Sequence, residues 1–335
     1  MKTVLAILAL GLCLMLVSCS TPVPKDIPSL KVLAEKGDSR AQYNLGVMYR
    51  DHPESKTLSH VLKDDVEATK WFRKSALQGY AEAQYALGQK YAYGAGKDEK
   101  EEAAKWYRKA AEQGHNLAQY MLGQMYANGE GVAENDKEAV KWWRNAAEQG
   151  HTLAQNNLGV KYDNGEGVAE DDKKAVKWFR KAAEQGFVGG QKNLGLMYFK
   201  GKGVPKDDKE AAKWFRKAAE QGDAEAQFEI GKMYRKGKGV AEDDHDAVMW
   251  FREAAGQGDA YAQYFLGQMY ADGEGVPKDD VTAHAWWSIA ANGFAQVKGV
   301  KDLLAQTMTP DQIAAAEALA KEMVKRNPKL IQKKE

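Results

Sequence analysis

Apolar residues recur along this chain at a spacing that predicts pairs of α-helices. In residues 152–187, three apolar residues lie four positions apart, which places them on one face of a first helix: Ala154, Leu158 and Tyr162. A Gly-rich turn follows, and a second helix is predicted from its apolar side: Ala175, Trp178, Phe179, Ala182 and Ala183. Gly186 then ends the unit, as a glycine after the last turn of a helix commonly does.

This unit recurs with a period of 36 residues. Tryptophans mark it, separated by 35 residues once and by 36 residues five times: Trp71, Trp106, Trp142, Trp178, Trp214, Trp250 and Trp286. One helix pair cannot bury its own apolar face, whereas stacked pairs bury a continuous core. We therefore predict an all-α solenoid of about seven helix-turn-helix repeats over residues 39–293, with the tryptophans in its core.

Residues that recur in every copy are predicted to hold the repeats together. A glycine inside each first helix costs about 1 kcal/mol relative to alanine, so its recurrence predicts close approach by the neighbouring helix. A glutamine in each first helix is predicted to form hydrogen bonds between repeats: Gln42, Gln84, Gln119, Gln155, Gln191, Gln227 and Gln263. In the turn, Gly165 and Gly167 are predicted to adopt positive φ, and Asp171 to cap the second helix.

The full repeat reads A-x-A-Q-x-x-L-G-x-x-Y-x-x-G-x-G-V-x-x-D-x-x-x-A-x-x-W-x-x-x-A-A-x-x-G. It resembles the Sel-one-like repeat (SLR) family, which is similar to tetratricopeptide repeats with a turn two residues longer. The resemblance covers about 250 residues. It implies a right-handed superhelix that serves as a protein-interaction scaffold, with first helices lining the concave, binding side. It implies no common ligand.

Residues 1–18 resemble the signal peptide of a bacterial lipoprotein. After Lys2 they are apolar from Val4 to Val17, a stretch shorter than the roughly 20 residues of a membrane span. The last residues before Cys19 resemble a lipobox, which would make Cys19 the lipidated N-terminus; cleavage nearby with Cys19 left free is the alternative. Ser20 resembles the sorting signal of outer-membrane lipoproteins. We expect an envelope protein that faces the periplasm, and surface exposure remains open.

The remaining segments complete the expected organisation. Residues 19–29 are proline-rich and predict a tether, and residues 30–38 echo the second half of a repeat and predict an N-terminal cap. Residues 294–327 predict C-terminal capping helices, and the polar residues 328–335 predict a frayed tail. The first repeat carries an insertion within residues 51–65, which is either an adapted surface loop or tolerated drift.

Charge and chemistry narrow the functional classes. The chain has 48 basic and 47 acidic residues, a balance that argues against nucleic-acid binding over the whole surface. Of its two cysteines, Cys13 lies in the predicted signal peptide and Cys19 at its end. The six histidines match no metal-binding motif, and His115 and His151 share one loop position. We predict no catalysis, metal or cofactor, although a hydrolase with two close carboxylates needs no motif.

Positions that differ between repeats are the candidates for binding. The two residues before each Leu-Gly vary most, and in the middle repeats they are polar. We predict a patch that binds the main chain or a carboxylate of an extended peptide, formed by Asn156, Asn157, Lys161, Lys192 and Asn193. A merely solvated surface is the alternative. A module that binds glycans such as peptidoglycan is a second class, and it would require exposed aromatic residues on the concave side. The oligomeric state stays open.

Overall fold

The computed structural model describes residues 27–51, 58–94 and 96–331, and these are helices and turns without a strand. The predicted signal peptide, Cys19 and most of the predicted tether lie outside the described residues. In the described part of the chain there are seventeen α-helices: α1 (Ile27–Glu35), α2 (Ser39–Asp51), α3 (Leu58–Leu77), α4 (Ala81–Ala92), α5 (Lys97–Glu112), α6 (Asn116–Asn128), α7 (Asp136–Glu148), α8 (Thr152–Asn164), α9 (Asp172–Glu184), α10 (Val188–Lys200), α11 (Asp208–Glu220), α12 (Ala224–Arg235), α13 (Asp244–Gly256), α14 (Ala260–Asp272), α15 (Asp280–Ala290), α16 (Val297–Ala305) and α17 (Pro310–Arg326). A 3₁₀-helix, Pro328–Ile331, follows.

The chain divides into two compact units, residues 1–145 and 146–335. In the first unit α2 packs against α3 and α4 against α5, and each pair also contacts the next. In the second unit the pairs α8–α9, α10–α11, α12–α13 and α14–α15 stack in the same way. Stacked helix pairs of this kind confirm the predicted all-α repeat architecture. No helix among the described residues combines the length and apolarity that crossing a membrane requires.

Aromatic residues of each second helix pack against the glycine of the first helix. An ideal Cβ built on Gly159 would lie 2.6 Å from Cδ1 of Phe179, which is too close for a side chain. The predicted close approach is therefore confirmed, and an aromatic ring makes it. Trp178 is only 6% exposed, and the other repeat tryptophans are likewise buried, apart from the half-buried Trp250. The tryptophans form the core, as predicted.

The recurring glutamines join successive repeats. Gln227 donates from Nε2 to the carbonyl of Ala219 in the preceding repeat at 3.1 Å, and its Oε1 accepts from Gln257 at 2.8 Å. The same bond to a preceding carbonyl is formed by Gln42, Gln84, Gln119, Gln155, Gln191 and Gln263. Because the last carbonyls of a helix have no partner inside it, these bonds satisfy groups that stacking would otherwise bury unpaired. The predicted role of the glutamines is confirmed.

The Gly-rich turns have the geometry predicted for them. Gly165 and Gly167 adopt φ of +71° and +70°, and the carboxylate of Asp171 accepts from the amide of Lys174 at 3.0 Å. The second turn glycine also docks on the preceding repeat. At Gly203, a Cβ would overlap the main-chain carbonyl group of Asp172. The turn therefore acts both as a connection and as a contact between repeats.

The N-terminal end of the first unit is capped by a helix longer than the sequence indicates. Helix α1 begins at Ile27, within the stretch predicted as a tether. Its Leu30 and Ala34 are buried in a cluster with Leu45 and Trp71. These two apolar residues cover the exposed side of the first repeat, as a terminal repeat must.

The first-repeat insertion falls partly outside the description. Residues 52–57 are not among the described residues. From Leu58 the chain is already helical, and α3 has 20 residues where α9 has 13. Part of the insertion therefore lengthens a second helix.

The C-terminal end of the second unit corrects one prediction. Residues 328–335 were expected to fray, yet residues 328–331 form a 3₁₀-helix in which Leu330 is 5% exposed. The Leu330 carbonyl accepts from Gln263 Nε2 at 2.8 Å, and Asn327 Nδ2 donates to the carbonyl of Gly256 at 2.7 Å. The Leu330 carbonyl thus gives the Gln263 amide group a second acceptor beside the carbonyl of Ala255. Residues 332–335 lie outside the description.

Candidate functional site

The predicted binding patch lies on helices α8 and α10 of the second unit. Asn193 donates from Nδ2 to Oδ1 of Asn156 at 3.1 Å, so the structure brings these two side chains together across successive repeats. Both asparagines are half-buried, as is Asn157 one residue further along α8. Each amide of a bonded pair keeps a donor and an acceptor position beyond the bond they share. The patch can therefore offer both kinds of hydrogen bond to a ligand.

The two lysines of the patch are engaged in ion pairs. Lys161 Nζ lies 2.6 Å from Oε2 of Glu166, and Lys192 Nζ lies 2.6 Å from Oε2 of Glu225. Hydrogen bonds from Lys161 and Asn164 lower the pKa of the Glu166 carboxyl. The surface formed by these side chains is therefore rich in amide groups, and each of its two ammonium groups is paired with a carboxylate.

Lys161 is also more buried than its position in the sequence indicates. Its side chain is 14% exposed. The other repeats from the third onward carry buried methionines at this position: Met125, Met197, Met233 and Met269. The aliphatic part of Lys161 therefore takes the place of a core side chain, and the ammonium group reaches Glu166 at the surface.

A cleft of about 220 Å³ adjoins the asparagine pair and is lined by Asn193, Lys200 and Lys202, among others. Lys202 Nζ is held by Asp163 at 2.8 Å and Asp172 at 3.2 Å. Lys200 is exposed and forms no ion pair with any residue that the structure describes. Lys200 is thus the cation of this cleft that a ligand carboxylate can reach. Sequence reasoning missed it, although its position also varies between repeats.

The two histidines that share a loop position are helix caps. Nδ1 of His115 accepts from the amide of Ala118, and Nδ1 of His151 from the amide of Ala154, each at 3.2 Å. Burial lowers the pKa of both imidazoles. Before the first helix of the sixth repeat, Asp223 occupies this position and accepts the equivalent bond at 2.8 Å. The structure therefore gives these histidines a structural role in the fold.

The structure also bears on a metal site and on a sugar-binding surface formed by the tryptophans. Groups of three or more His, Cys, Asp or Glu that could hold a metal are absent from residues 27–51, 58–94 and 96–331. The repeat tryptophans do not form a sugar-stacking surface, because all of them except the half-buried Trp250 are buried. Lysines also lie over the faces of some of the rings, and Lys181 Nζ lies 4.6 Å from the ring centre of Trp178.

Comparisons with known proteins agree with this architecture. The family model described as Sel1 repeat matches seven segments: residues 39–80, 81–115, 116–151, 152–187, 189–223, 224–259 and 260–293. A Sel1 repeat protein from Oxalobacter formigenes is 37% identical, over 63% of this chain and 84% of that chain, with a TM-score of 0.57. No functionally curated protein matches the chain.

Two further solved structures are similar in sequence. The protein c5321, a protective antigen of uropathogenic Escherichia coli strains with an SLR fold, is 31% identical over 91% of this chain and 80% of that chain, with a TM-score of 0.40. Helicobacter pylori cysteine rich protein B is 29% identical over 40% of this chain and 96% of that chain, with a TM-score of 0.32.

Proposed function

Because the chain belongs to the Sel1 repeat family, whose repeats serve as protein-interaction scaffolds, we propose that it is a non-catalytic adaptor for an extended segment of a partner protein. The observation that carries this proposal is the half-buried amide pair Asn156–Asn193 beside the cleft that Lys200 lines. Amide side chains can pair with the donors and acceptors of a peptide main chain. Lys200 can pair with a carboxylate of the same segment. An acidic, extended peptide is the ligand that fits both.

The use that each repeat makes of its residues supports this placement. The glutamines, glycines and tryptophans that recur in every repeat pack in the core or form hydrogen bonds between repeats. The asparagines and Lys200 occupy positions that vary between repeats, so the stacking of repeats does not require them. Asn193 is half-buried, so a hydrogen bond from a ligand there would be shielded from water.

A crosslinking experiment tests the binding surface. A photo-crosslinking amino acid in place of Leu196, which lines the cleft beside Lys200, is expected to capture one dominant protein in the producing cells. The affinity of the captured segment is then measured as a synthetic peptide. We expect Asn193→Ala and Lys200→Glu to weaken it roughly tenfold each, because each removes a hydrogen bond or a charge-assisted contact.

Lys161→Met is the matched control for this experiment. It introduces the methionine that the other repeats from the third onward carry, and it removes one charge of the predicted patch. Because it leaves the cleft intact, the affinity for the peptide should not change. Wild-type affinity in both Asn193→Ala and Lys200→Glu would contradict the proposed surface. Loss of affinity in Lys161→Met alone would return the binding role to the lysine chosen from the sequence.

We further propose that the adaptor is anchored in a bacterial envelope through lipidated Cys19, on the outer membrane and facing the periplasm. This proposal is supported by the sequence of residues 1–20. Several acyl chains on one cysteine hold a protein to a bilayer far better than one chain does. Replacing Cys19 with serine is expected to abolish labelling by radioactive palmitate and to release the protein from the membrane fraction.

Cys13→Ser is the control for the anchoring test, because Cys13 precedes the lipobox and would leave with the signal peptide. It should keep both the label and the membrane association. An unlabelled wild-type protein, or a Cys19→Ser protein that stays in the membrane fraction, would show that the chain is not anchored in this way.

A further inference from the structure

Two adjoining cavities open on the first unit, in a region to which the sequence assigns no role. They measure about 630 and 400 Å³, and they share Gln89 and Tyr93. In the third repeat, Val132 follows the turn and packs against a core cluster of the preceding repeat. In the second repeat no valine follows the turn, because α5 begins directly at Lys97. The larger cavity lies beside this shortened turn, where Gly94 and Glu99 line it.

A buried tyrosine forms part of the wall of the smaller cavity. Tyr107 lines this cavity and is 1% exposed. No hydrogen-bond partner is found for its hydroxyl within residues 27–51, 58–94 and 96–331, although the neighbouring hydroxyl of Tyr85 accepts from Gln89 at 2.9 Å. The other second helices carry Phe or Trp at this position: Phe72, Trp143, Phe179, Phe215, Phe251 and Trp287.

Packing does not require the hydroxyl of Tyr107. Phenylalanine serves the same packing role against the helix glycine in three repeats of the second unit. The Tyr107 hydroxyl is not among the fully buried side-chain polar atoms that lack a partner in the described residues, so it reaches the cavity rather than the closed core. Burial, together with nearby Tyr85 and Tyr93, raises the pKa of Tyr107, so the hydroxyl stays protonated. It can therefore both donate a hydrogen bond to a ligand and accept one.

The rest of the cavity is apolar with an amide rim and no unbalanced charge. Tyr120, Met121 and Met125 form its walls, and Gln124 lies beside them. At the rim Lys100 Nζ lies 3.5 Å from Oε2 of Glu130, so these two charges offset each other. Methionine sulfur makes favourable contacts with aromatic rings. The walls thus suit a flat, neutral, aromatic group that carries one polar atom.

We propose that this cavity binds the side chain of a tryptophan or tyrosine residue of an extended peptide. The ring would lie between Tyr120 and the two methionines, and its N–H or O–H would pair with the Tyr107 hydroxyl. The adjoining larger cavity leaves room for the next residues of the peptide. This site lies in the first unit and is separate from the amide cleft, so it extends the proposed adaptor function rather than restating it.

Short peptides test the proposal directly. The probes are acetylated peptide amides of sequence Gly-Ser-X-Ser-Gly, in which X is tryptophan, tyrosine, phenylalanine or leucine, and binding is measured by saturation-transfer NMR titration. We expect the tyrosine peptide to bind the wild-type protein about 3- to 10-fold more tightly than the phenylalanine peptide, because only tyrosine pairs with the hydroxyl. In Tyr107→Phe this difference should disappear, while the thermal unfolding temperature stays the same or rises.

Two further variants separate the possible outcomes. Met121→Glu places a charge on the cavity wall and should abolish binding of all four peptides. If Tyr107 had only a structural role, a charge at Met121 would not affect peptide binding. Lys200→Glu, in the second unit, should leave this binding unchanged, so the failure of one proposal does not count against the other. Equal affinity for the tyrosine and phenylalanine peptides in the wild-type protein, or no binding of any peptide, would overturn the proposal.

Discussion

Replacing Gly203 with alanine is expected to destabilise the second unit by about 2–5 kcal/mol. Two effects add. Gly203 has φ of +68°, a conformation that costs an L-residue roughly 1–2 kcal/mol. A Cβ there would also overlap the main-chain carbonyl of Asp172 in the preceding repeat, and relieving such overpacking costs about 1–3 kcal/mol. Because the overlapping atoms belong to a helix backbone, the neighbour cannot turn away.

Gly201 provides the matched control within the same turn. Its φ is +71°, and a Cβ built there would meet Cβ of Lys206 at 3.2 Å, a contact that a shift of a few tenths of an ångström relieves. Gly201→Ala should therefore lower the free energy of unfolding mainly by the cost of the positive φ, about 1–2 kcal/mol. Urea unfolding of both variants measures the difference. Equal losses would mean that the contact between repeats does not constrain Gly203.

Lowering the pH from 7.5 to 5 is expected to destabilise the fourth repeat through His151. Burial lowers the pKa of His151 below the ordinary value of 6.5, so the unfolded chain binds the proton more readily than the folded one. Stability is therefore complete above about pH 6.5 and falls as the pH decreases toward the folded pKa. The protonated ring can no longer accept from the Ala154 amide, and loss of an N-cap costs about 0.5–2 kcal/mol.

His151→Asp isolates this effect from the other histidines. Asp223 already caps the sixth repeat with the same geometry, and a carboxylate stays ionised at pH 5 and favours a helix N-terminus. The thermal unfolding temperature of the variant should fall less between pH 7.5 and 5 than that of the wild-type protein. His115 and the buried His284, whose pKa burial also lowers, remain in both proteins and cancel in the comparison. Identical pH dependence would contradict the capping role.

The sequence by itself determined the repeat, its helix pairs, and the roles of Gly165, Gly167 and the glutamines. These depend on spacing along the chain, because residues four apart share a helix face and a turn glycine controls its own φ. Recurrence also predicted contacts between repeats, because a residue that is present in every copy is expected to take part in the contact between copies. The packing of the tryptophans and the bond from Gln227 to Ala219 could be predicted for this reason.

The tertiary structure decided what depends on neighbours that do not recur. Lys161 and Lys192 looked alike in the sequence, but the ammonium groups have different partners because Glu166 lies in the adjacent turn and Glu225 on the next first helix. Lys200 stands out only once its surroundings are known. Only the structure shows that Tyr107 lines a cavity and that its hydroxyl has no hydrogen-bond partner among the described residues. Such pairings are set by distances in space of a few ångströms, and the order of residues along one chain does not contain them.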